Sequence, residues 1–127
     1  MFDYTIETQH TIDEAINRIE ESLKHENFGV LWKFDIKGKL QEKGMDFQRE
    51  FKVLEVCNPK EAYRVLNENN MAGYFLPCKI VVYEENGQTK IGMPRPSSLI
   101  SLLNDDNLKK LAKDIEERLI VCIDKSK

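Results

Sequence analysis

The chain has 127 residues, of which 41% are hydrophobic and 32% are charged, and its formal net charge is −3 at pH 7. This length and composition are typical of one globular domain and exclude a disordered chain. A nucleic-acid-binding surface needs concentrated basic residues, whereas those of this chain are dispersed among acidic ones, so we expect no nucleic-acid partner. The sequence has neither a secretory signal nor a run of ~18 apolar residues. We therefore expect a cytoplasmic protein without a membrane span, with residues 1–127 forming a single α+β domain.

The start of the chain predicts a strand followed by a helix. Residues 2–8 alternate between apolar and polar side chains, which is typical of a half-buried strand. Residues 12–25 carry apolar side chains at helical spacing. Thr11 and Glu14 form a capping-box pattern, in which the two side chains satisfy free backbone amides at a helix start.

A second strand is predicted from Phe28 to Ile36, and a polar segment follows it. Leu31 is the only large apolar residue on one of its faces. Residues 37–48 are interpreted as a loop with at most one helical turn, which Gly44 ends. The apolar residues predicted to share the other face of the strand are Phe28, Val30, Trp32, Phe34 and Ile36.

A third strand over residues 51–56 precedes the most clearly marked helix start in the chain. Leu54 interrupts the alternation of this strand. Asn58 has the chemistry of an N-cap, and Pro59 occupies the first helical position, where its missing amide hydrogen costs nothing. The helix is predicted to run to about Leu66.

A hairpin is predicted in the second half of the chain. Proline cannot donate to a sheet ladder, so the strand that follows Pro77 is predicted to start near Lys79. Asn86 and Gly87 form the pair that favours a type I′ turn, which makes residues 89–93 the antiparallel partner.

Two helices are predicted after Pro94 and Pro96, which end the preceding strand. Residues 97–103 are assigned to a short helix, and the apolar spacing over residues 108–122 indicates a longer one. The predicted order is β-α-β-β-α-β-β-α. Two of the connections are too short for crossover helices, so the sequence predicts an α+β fold with an antiparallel or mixed sheet and helices packed on one face.

The three cysteines are widely spaced and are expected to be free thiols in a reducing compartment. Cys57 precedes the N-cap Asn58, where the positive end of a helix dipole favours a thiolate. Cys78 follows Pro77 at a strand start, so the two thiols could act as nucleophile and resolving partner, or as two soft metal ligands. The sequence has no C-x-x-C spacing, and cysteine is among the most often buried residue types, so a structural role is the alternative. Cys122 falls on the apolar face of a helix and is assigned to the core.

A protein-bound metal is not expected. A tetrahedral site needs three or four convergent ligands. The chain has only two histidines, His10 and His25, at opposite ends of a helix roughly 20 Å long.

The chain also has more large apolar side chains than two short segments need for one core. These residues can belong to an ordinary core, line a ligand cleft or form a subunit interface, where aromatic and methionine side chains are enriched. They are Trp32, Phe34, Met71, Tyr74 and Phe75.

Four short motifs give the chain a resemblance to a known family. They are Phe28-Gly29-Val30-Leu31, Lys43-Gly44, Cys57-Asn58-Pro59 with Ala62, and Leu76-Pro77-Cys78-Lys79-Ile80-Val81-Val82-Tyr83. With them, residues 2–124 resemble the bacterial and archaeal family called domain of unknown function 302. The resemblance implies a compact α+β fold with an antiparallel sheet and self-association as a dimer, and it supplies no reaction.

The sequence therefore predicts a domain that binds a small molecule or another partner as a homodimer, and it favours no enzymatic activity. The expected cleft lies where the start of the second helix meets residues 74–78, and backbone amides there could hold an anionic group. The alternative is thiol-based redox or sulfur-relay chemistry, and a weaker one is a soft metal held by cysteines of one or two subunits. No cofactor is indicated. The candidate site residues are Cys57, Asn58, Pro59, Pro77, Cys78 and Lys43.

Overall fold

The structure, a computed structural model, describes residues 1–127 and confirms the predicted α+β fold. The strands are β1 (Asp3–Thr8), β2 (Gly29–Asp35), β3 (Phe51–Cys57), β4 (Cys78–Glu85) and β5 (Gln88–Pro94); the helices are α1 (Ile12–His25), α2 (Ile36–Glu42), α3 (Pro59–Glu68), α4 (Pro96–Ile100) and α5 (Asp106–Lys125), and a 3₁₀ segment (Asn70–Phe75) joins α3 to β4.

The five strands form one sheet in the order β1-β5-β4-β3-β2, and all neighbouring strands are antiparallel. Of the two sheet types that the sequence left open, the antiparallel one is found. β1 and β2 are consecutive in the chain but occupy opposite edges of the sheet, and α1 connects them.

The two faces of the sheet differ in burial. The covered face packs against the helices and carries the fully buried residues Leu54, Val56, Ile80, Val82 and Ile91. Each such side chain stabilises the fold by roughly 1.5–3 kcal/mol relative to an exposed one.

The opposite face, called the open face below, carries side chains that lie outside the buried core. Two stacked aromatic pairs stand on it, with ring centroids 5.5 Å apart in one and 5.1 Å apart in the other. Its apolar residues are Trp32, Phe34, Phe51, Val53, Val81 and Tyr83, and all of them are at least partly exposed.

A β-bulge at Leu31 changes the face of the sheet to which the side chains of β2 point. Val30 pairs with Val56, and Trp32 pairs with Glu55, so the register shifts at the residue between them. Consecutive residues of a strand point to opposite faces, which puts Val30 on the covered face and Trp32 on the open face. The prediction that the apolar residues of this strand share one face is therefore wrong, because one extra residue reverses the alternation.

The predicted loop over residues 37–48 is also corrected, since α2 occupies its first part. Asp35 is the N-cap of this helix and accepts a hydrogen bond from the Gly38 amide at 3.0 Å. Ile36 opens the helix rather than extending β2. Gly44 follows the helix with φ of 83°, as its predicted role in ending the turn requires.

Several other boundaries differ by one to three residues from those predicted; α5, for example, spans Asp106–Lys125 rather than residues 108–122. α3 continues to Glu68, α4 ends at Ile100, and β4 begins at Cys78. The 3₁₀ segment was not predicted; its start is capped by Asn69, whose side chain accepts from the Met71 amide at 2.9 Å.

The strongest local signals are confirmed. Thr11 and Glu14 form both bonds of the capping box at the start of α1. Asn86 and Gly87 adopt φ of 53° and 77°, the positive values that a type I′ hairpin needs at both central residues.

Buried polar contacts join α1, α3 and α5. Glu61 of α3 is buried and pairs with Arg118 of α5. Arg118 also donates to the Glu26 carbonyl at 3.1 Å, just beyond α1, and Asn58 donates to the same oxygen at 3.3 Å. Arg118 therefore connects the start of α3 to the end of α1.

We predict that Arg118→Met destabilises the protein by about 3 kcal/mol, because it leaves the buried carboxylate of Glu61 with only the half-exposed Arg64 as a partner. Denaturant unfolding measures this difference. The control is Lys24→Met, which removes an exposed ion pair with Glu21 and should leave stability almost unchanged. Equal stability of the two variants would show that the buried network does not support the fold.

Candidate functional site

A cavity of about 620 Å³ lies at the end of the sheet where β4 begins and β5 ends. The 3₁₀ segment and helices α3, α4 and α5 form its other walls. Hydrophobic residues make up 15 of the 20 that line it, and its size falls within the range of roughly 300–1,000 Å³ found for small-molecule sites. The chemistry of the wall therefore suits a ligand with an apolar body.

The floor of the cavity is formed mainly by α5. Leu108, Ala112, Ile115 and Leu119 follow one another at intervals of three or four residues, so they share one side of the helix; all four are buried, and only Ala112 and Ile115 keep a small accessible surface. Met93 of β5 lines the cavity as well. The apolar stripe of α5 therefore contributes to the cavity as well as to the core.

The mouth of the cavity is formed by Trp32, Glu55, Tyr74 and Lys79; Trp32, Glu55 and Lys79 stand on the open face, so the cavity reaches round the end of the sheet. Trp32 and Tyr74 are 61% and 80% exposed. Glu55 of β3 is the register partner of Trp32 on one side and of Lys79 on the other. Lys79 Nζ and Glu55 Oε1 lie 2.6 Å apart. The aromatic ring, the acid and the base at the mouth therefore come from the three neighbouring strands β2, β3 and β4.

The register places the two candidate cysteines near one another but in different surroundings. Cys78 pairs with Val56 of the covered face and lines the cavity. Cys57 is the next residue after Val56, so strand alternation directs its side chain to the opposite face, and it is outside the cavity lining. All three cysteines are free.

Burial governs the chemistry of two of the thiols. Burial raises the pKa of the Cys78 thiol to about 11, and the electrostatic influence of Cys57 adds to this effect. Burial likewise raises the pKa of Cys122 to about 11, and this residue lies in the core as predicted. Both thiols are therefore protonated at neutral pH.

Asn58 is buried, and its side chain is used within the fold. Its Oδ1 accepts from the amides of Lys60 at 3.0 Å and Glu61 at 3.4 Å, and its Nδ2 donates to the Glu26 carbonyl. The N-cap role predicted for Asn58 is confirmed. The capped amides at this helix start are already occupied by the chain itself.

Of the six candidate site residues, the structure brings Pro77 and Cys78 into the cavity wall. Pro59 is exposed at the start of α3, and Lys43 is exposed at the end of α2. Those two and Cys57 and Asn58 are outside the cavity lining. The predicted cleft included residues 74–78, which do line the cavity, but α3 contributes through Val65 rather than through its start.

Sequence reasoning missed Glu55, Lys79 and the residues of α5 that face the cavity. The spacing of α5 signals an apolar face but does not say whether that face meets side chains or a cavity. Glu55 and Lys79 are 24 positions apart, and only the β3–β4 register joins them.

No group of three or more His, Cys, Asp or Glu side chains comes together in a way that could hold a metal ion. None of the helices has both the length and the apolar character that crossing a membrane requires.

The family model described as "Domain of unknown function DUF302" matches residues 4–126. The chain belongs to this family. A solved member, the uncharacterized conserved protein DUF302 from Bacillus stearothermophilus, is 58% identical, and its crystal structure superposes with a TM-score of 0.98. The match covers 100% of this chain and 99% of that one. A comparison with curated proteins finds no match. The resemblance to the DUF302 family is confirmed.

We predict that the reactivity of Cys78 keeps rising with pH well above neutrality, because burial holds its thiol protonated. A variant that carries Cys57→Ala and Cys122→Ala isolates this thiol, and the rate of its alkylation by iodoacetamide between pH 7 and pH 10 measures the effect. The same variant unfolded in denaturant is the control, and its rate should level off near the ordinary thiol pKa of about 8.5. Matching profiles for the folded and unfolded forms would contradict the prediction.

Proposed function

We propose that residues 1–127 form one non-enzymatic domain that acts in the cytoplasm as a homodimer and binds a small molecule in the cavity between the sheet and α5. The observation that carries this proposal is the cavity itself, with a buried apolar floor and a mouth that holds an acid and a base. Apolar walls with a few placed polar groups are the usual composition of a ligand site.

The floor provides the binding energy in this proposal. Transfer of apolar groups from water contributes about 0.8 kcal/mol per methylene, so a chain of eight carbons supplies about 6 kcal/mol before the cost of association. Without that cost, ~6 kcal/mol corresponds to a dissociation constant of about 40 μM, so we expect affinities in the millimolar range for simple amphiphiles. The mouth then selects among ligands by their polar ends.

Binding is favoured over catalysis because the groups at the cavity do not form a reactive set. The one thiol in its wall is protonated at neutral pH, and the one carboxylate at its mouth is paired with Lys79. Nucleophilic catalysis needs an activated group with a base in reach.

We predict that Ala112→Leu abolishes the thermal stabilisation that an apolar probe such as octanol gives the wild type. The added methyl groups fill part of the floor, because Ala112 lines the cavity. The matched control is Ala62→Leu, which adds the same groups to a half-buried site outside the cavity lining and should keep the stabilisation. If octanol stabilises the Ala112→Leu variant as much as the wild type, octanol binds outside this cavity.

The open face supports the homodimer. The sheet presents roughly 20 Å by 20 Å there, which is about half of the ~800 Å² per partner that a stable interface buries, so residues around the sheet must contribute the rest. The apolar residues occupy its middle, and the charged residues Glu55 and Lys79 at one end are paired within the chain. A second copy can therefore cover the middle of this face without burying an unpaired charge.

We predict that Val81→Lys converts the protein to a monomer, because it places a charge at the middle of the open face. Light scattering after size-exclusion chromatography should give twice the chain mass of 14.8 kDa for the wild type and the single mass for the variant. Tyr63→Lys is the control, since this residue is exposed on α3 and the variant should stay dimeric. A monomeric wild type would end the dimer proposal and leave the cavity proposal intact.

The second candidate function is thiol chemistry by Cys57 and Cys78. The observation that favours it is the register, in which Cys57 follows the direct partner of Cys78. Since Cys78 is protonated at neutral pH, this candidate needs Cys57 as the attacking thiol. It requires Cys57 to react in the folded protein before the buried Cys122, and alkylation of the wild-type protein near neutral pH, with the modified cysteines located by peptide mass spectrometry, tests this order.

A further inference from the structure

Only two charged residues line the cavity, and they are bound to one another. Glu55 and Lys79 form the ion pair at the mouth, with 2.6 Å between Oε1 and Nζ. A ligand whose polar end sits at this mouth must compete with one of the two. The free energy of that exchange decides which charge the ligand carries.

The exchange is not symmetric, because the two side chains differ in exposure. The Lys79 side chain is 46% exposed and the Glu55 side chain only 19%. A displaced lysine head extends into water on its flexible stem and keeps its hydration. A displaced Glu55 carboxylate would stay largely buried without a partner, beside the anion that displaced it, which is far more costly.

Aromatic residues at the mouth favour the same outcome. Trp32 is the cross-strand neighbour of Glu55, and neighbours of this kind have Cβ atoms about 4.5–5.5 Å apart. Its ring stacks on Phe34 with centroids 5.5 Å apart, which holds the indole in place. Tyr74 stands at the same mouth. An ammonium group beside a carboxylate and an aromatic ring gains both an ion pair and a cation–π contact.

We infer that the ligand of this cavity is a cationic amphiphile, with an ammonium head held by Glu55 and Trp32 and an apolar body on the floor formed by α5. This inference rests on the proposed function. The cavity of about 620 Å³ has room for about 20 groups of the size of a water molecule, which limits the apolar body to a medium-length chain or a small ring system.

Three probes test the inference: octyltrimethylammonium and octanol, which carry an eight-carbon alkyl chain, and octanoate, whose eight carbons include the carboxylate. Isothermal titration at moderate ionic strength should give the ammonium compound an affinity about tenfold above that of octanol. Octanoate should bind most weakly, because its carboxylate meets Glu55.

Two variants assign the effect to its residues. Glu55→Gln should lower the ratio of the ammonium affinity to the octanol affinity about tenfold, because the amide keeps the shape of the side chain and removes its charge. Lys79→Met should strengthen the ammonium compound, because the competing cation is gone. Near-UV circular dichroism and thermal unfolding of each variant check that it is folded.

The outcomes separate the inference from the proposed function. If octanoate binds more tightly than octanol to the wild type and no more tightly than octanol to Lys79→Met, the mouth selects anions. That result overturns the inference and leaves the proposed function standing. Equal binding of all three probes overturns it as well. If none of the probes binds, the proposed function fails first and the inference fails with it.

Discussion

The β-bulge at Leu31 is one extra residue in the edge strand β2, and the arrangement at the cavity mouth depends on it. Without the bulge, the alternation that puts Val30 on the covered face would put Trp32 there too. The register shift instead stands Trp32 beside Glu55 on the open face, with Phe34 stacked on it. Bulges are known for redirecting side chains in this way near functional sites. One inserted residue thus gives both the cavity mouth and the open face their aromatic character.

The cavity stays open because the helices around it are anchored by polar contacts. Arg118 of α5 pairs with the buried Glu61 of α3. Two residues earlier along the helix, the buried carboxylate of Glu116 accepts from the Ser97 amide at 3.0 Å and pairs with Arg95 at 3.2 Å, which anchors the start of α4. These contacts hold α5 against both neighbouring walls, so its apolar floor cannot simply collapse onto the sheet. Directional bonds of this kind specify the spacing that apolar packing alone leaves adjustable.

Elements with local signals could be predicted from the sequence, and features that depend on register could not. The capping box at Thr11 and the Asn86-Gly87 turn act within four residues, so their chemistry is visible in the chain. Helix α2 could not be predicted because Gly38 lowers its helix propensity and because its N-cap Asp35 lies within the predicted second strand. The candidate site was predicted only in part, through residues 74–78. Its acid–base pair is created by the β3–β4 register, which no local pattern encodes.

The central claim is that the space above α5 is a binding site for an apolar body whose polar end lies at Glu55. Methyl NMR of the wild-type protein during titration with octyltrimethylammonium tests it most directly. We expect the methyl signals of Leu108 and Ile115 and the indole signal of Trp32 to shift together with one dissociation constant. Shifts confined to Val53 and Val81, with Leu108 and Ile115 unmoved at saturation, would place the probe at the middle of the open face, outside the cavity, and contradict the claim.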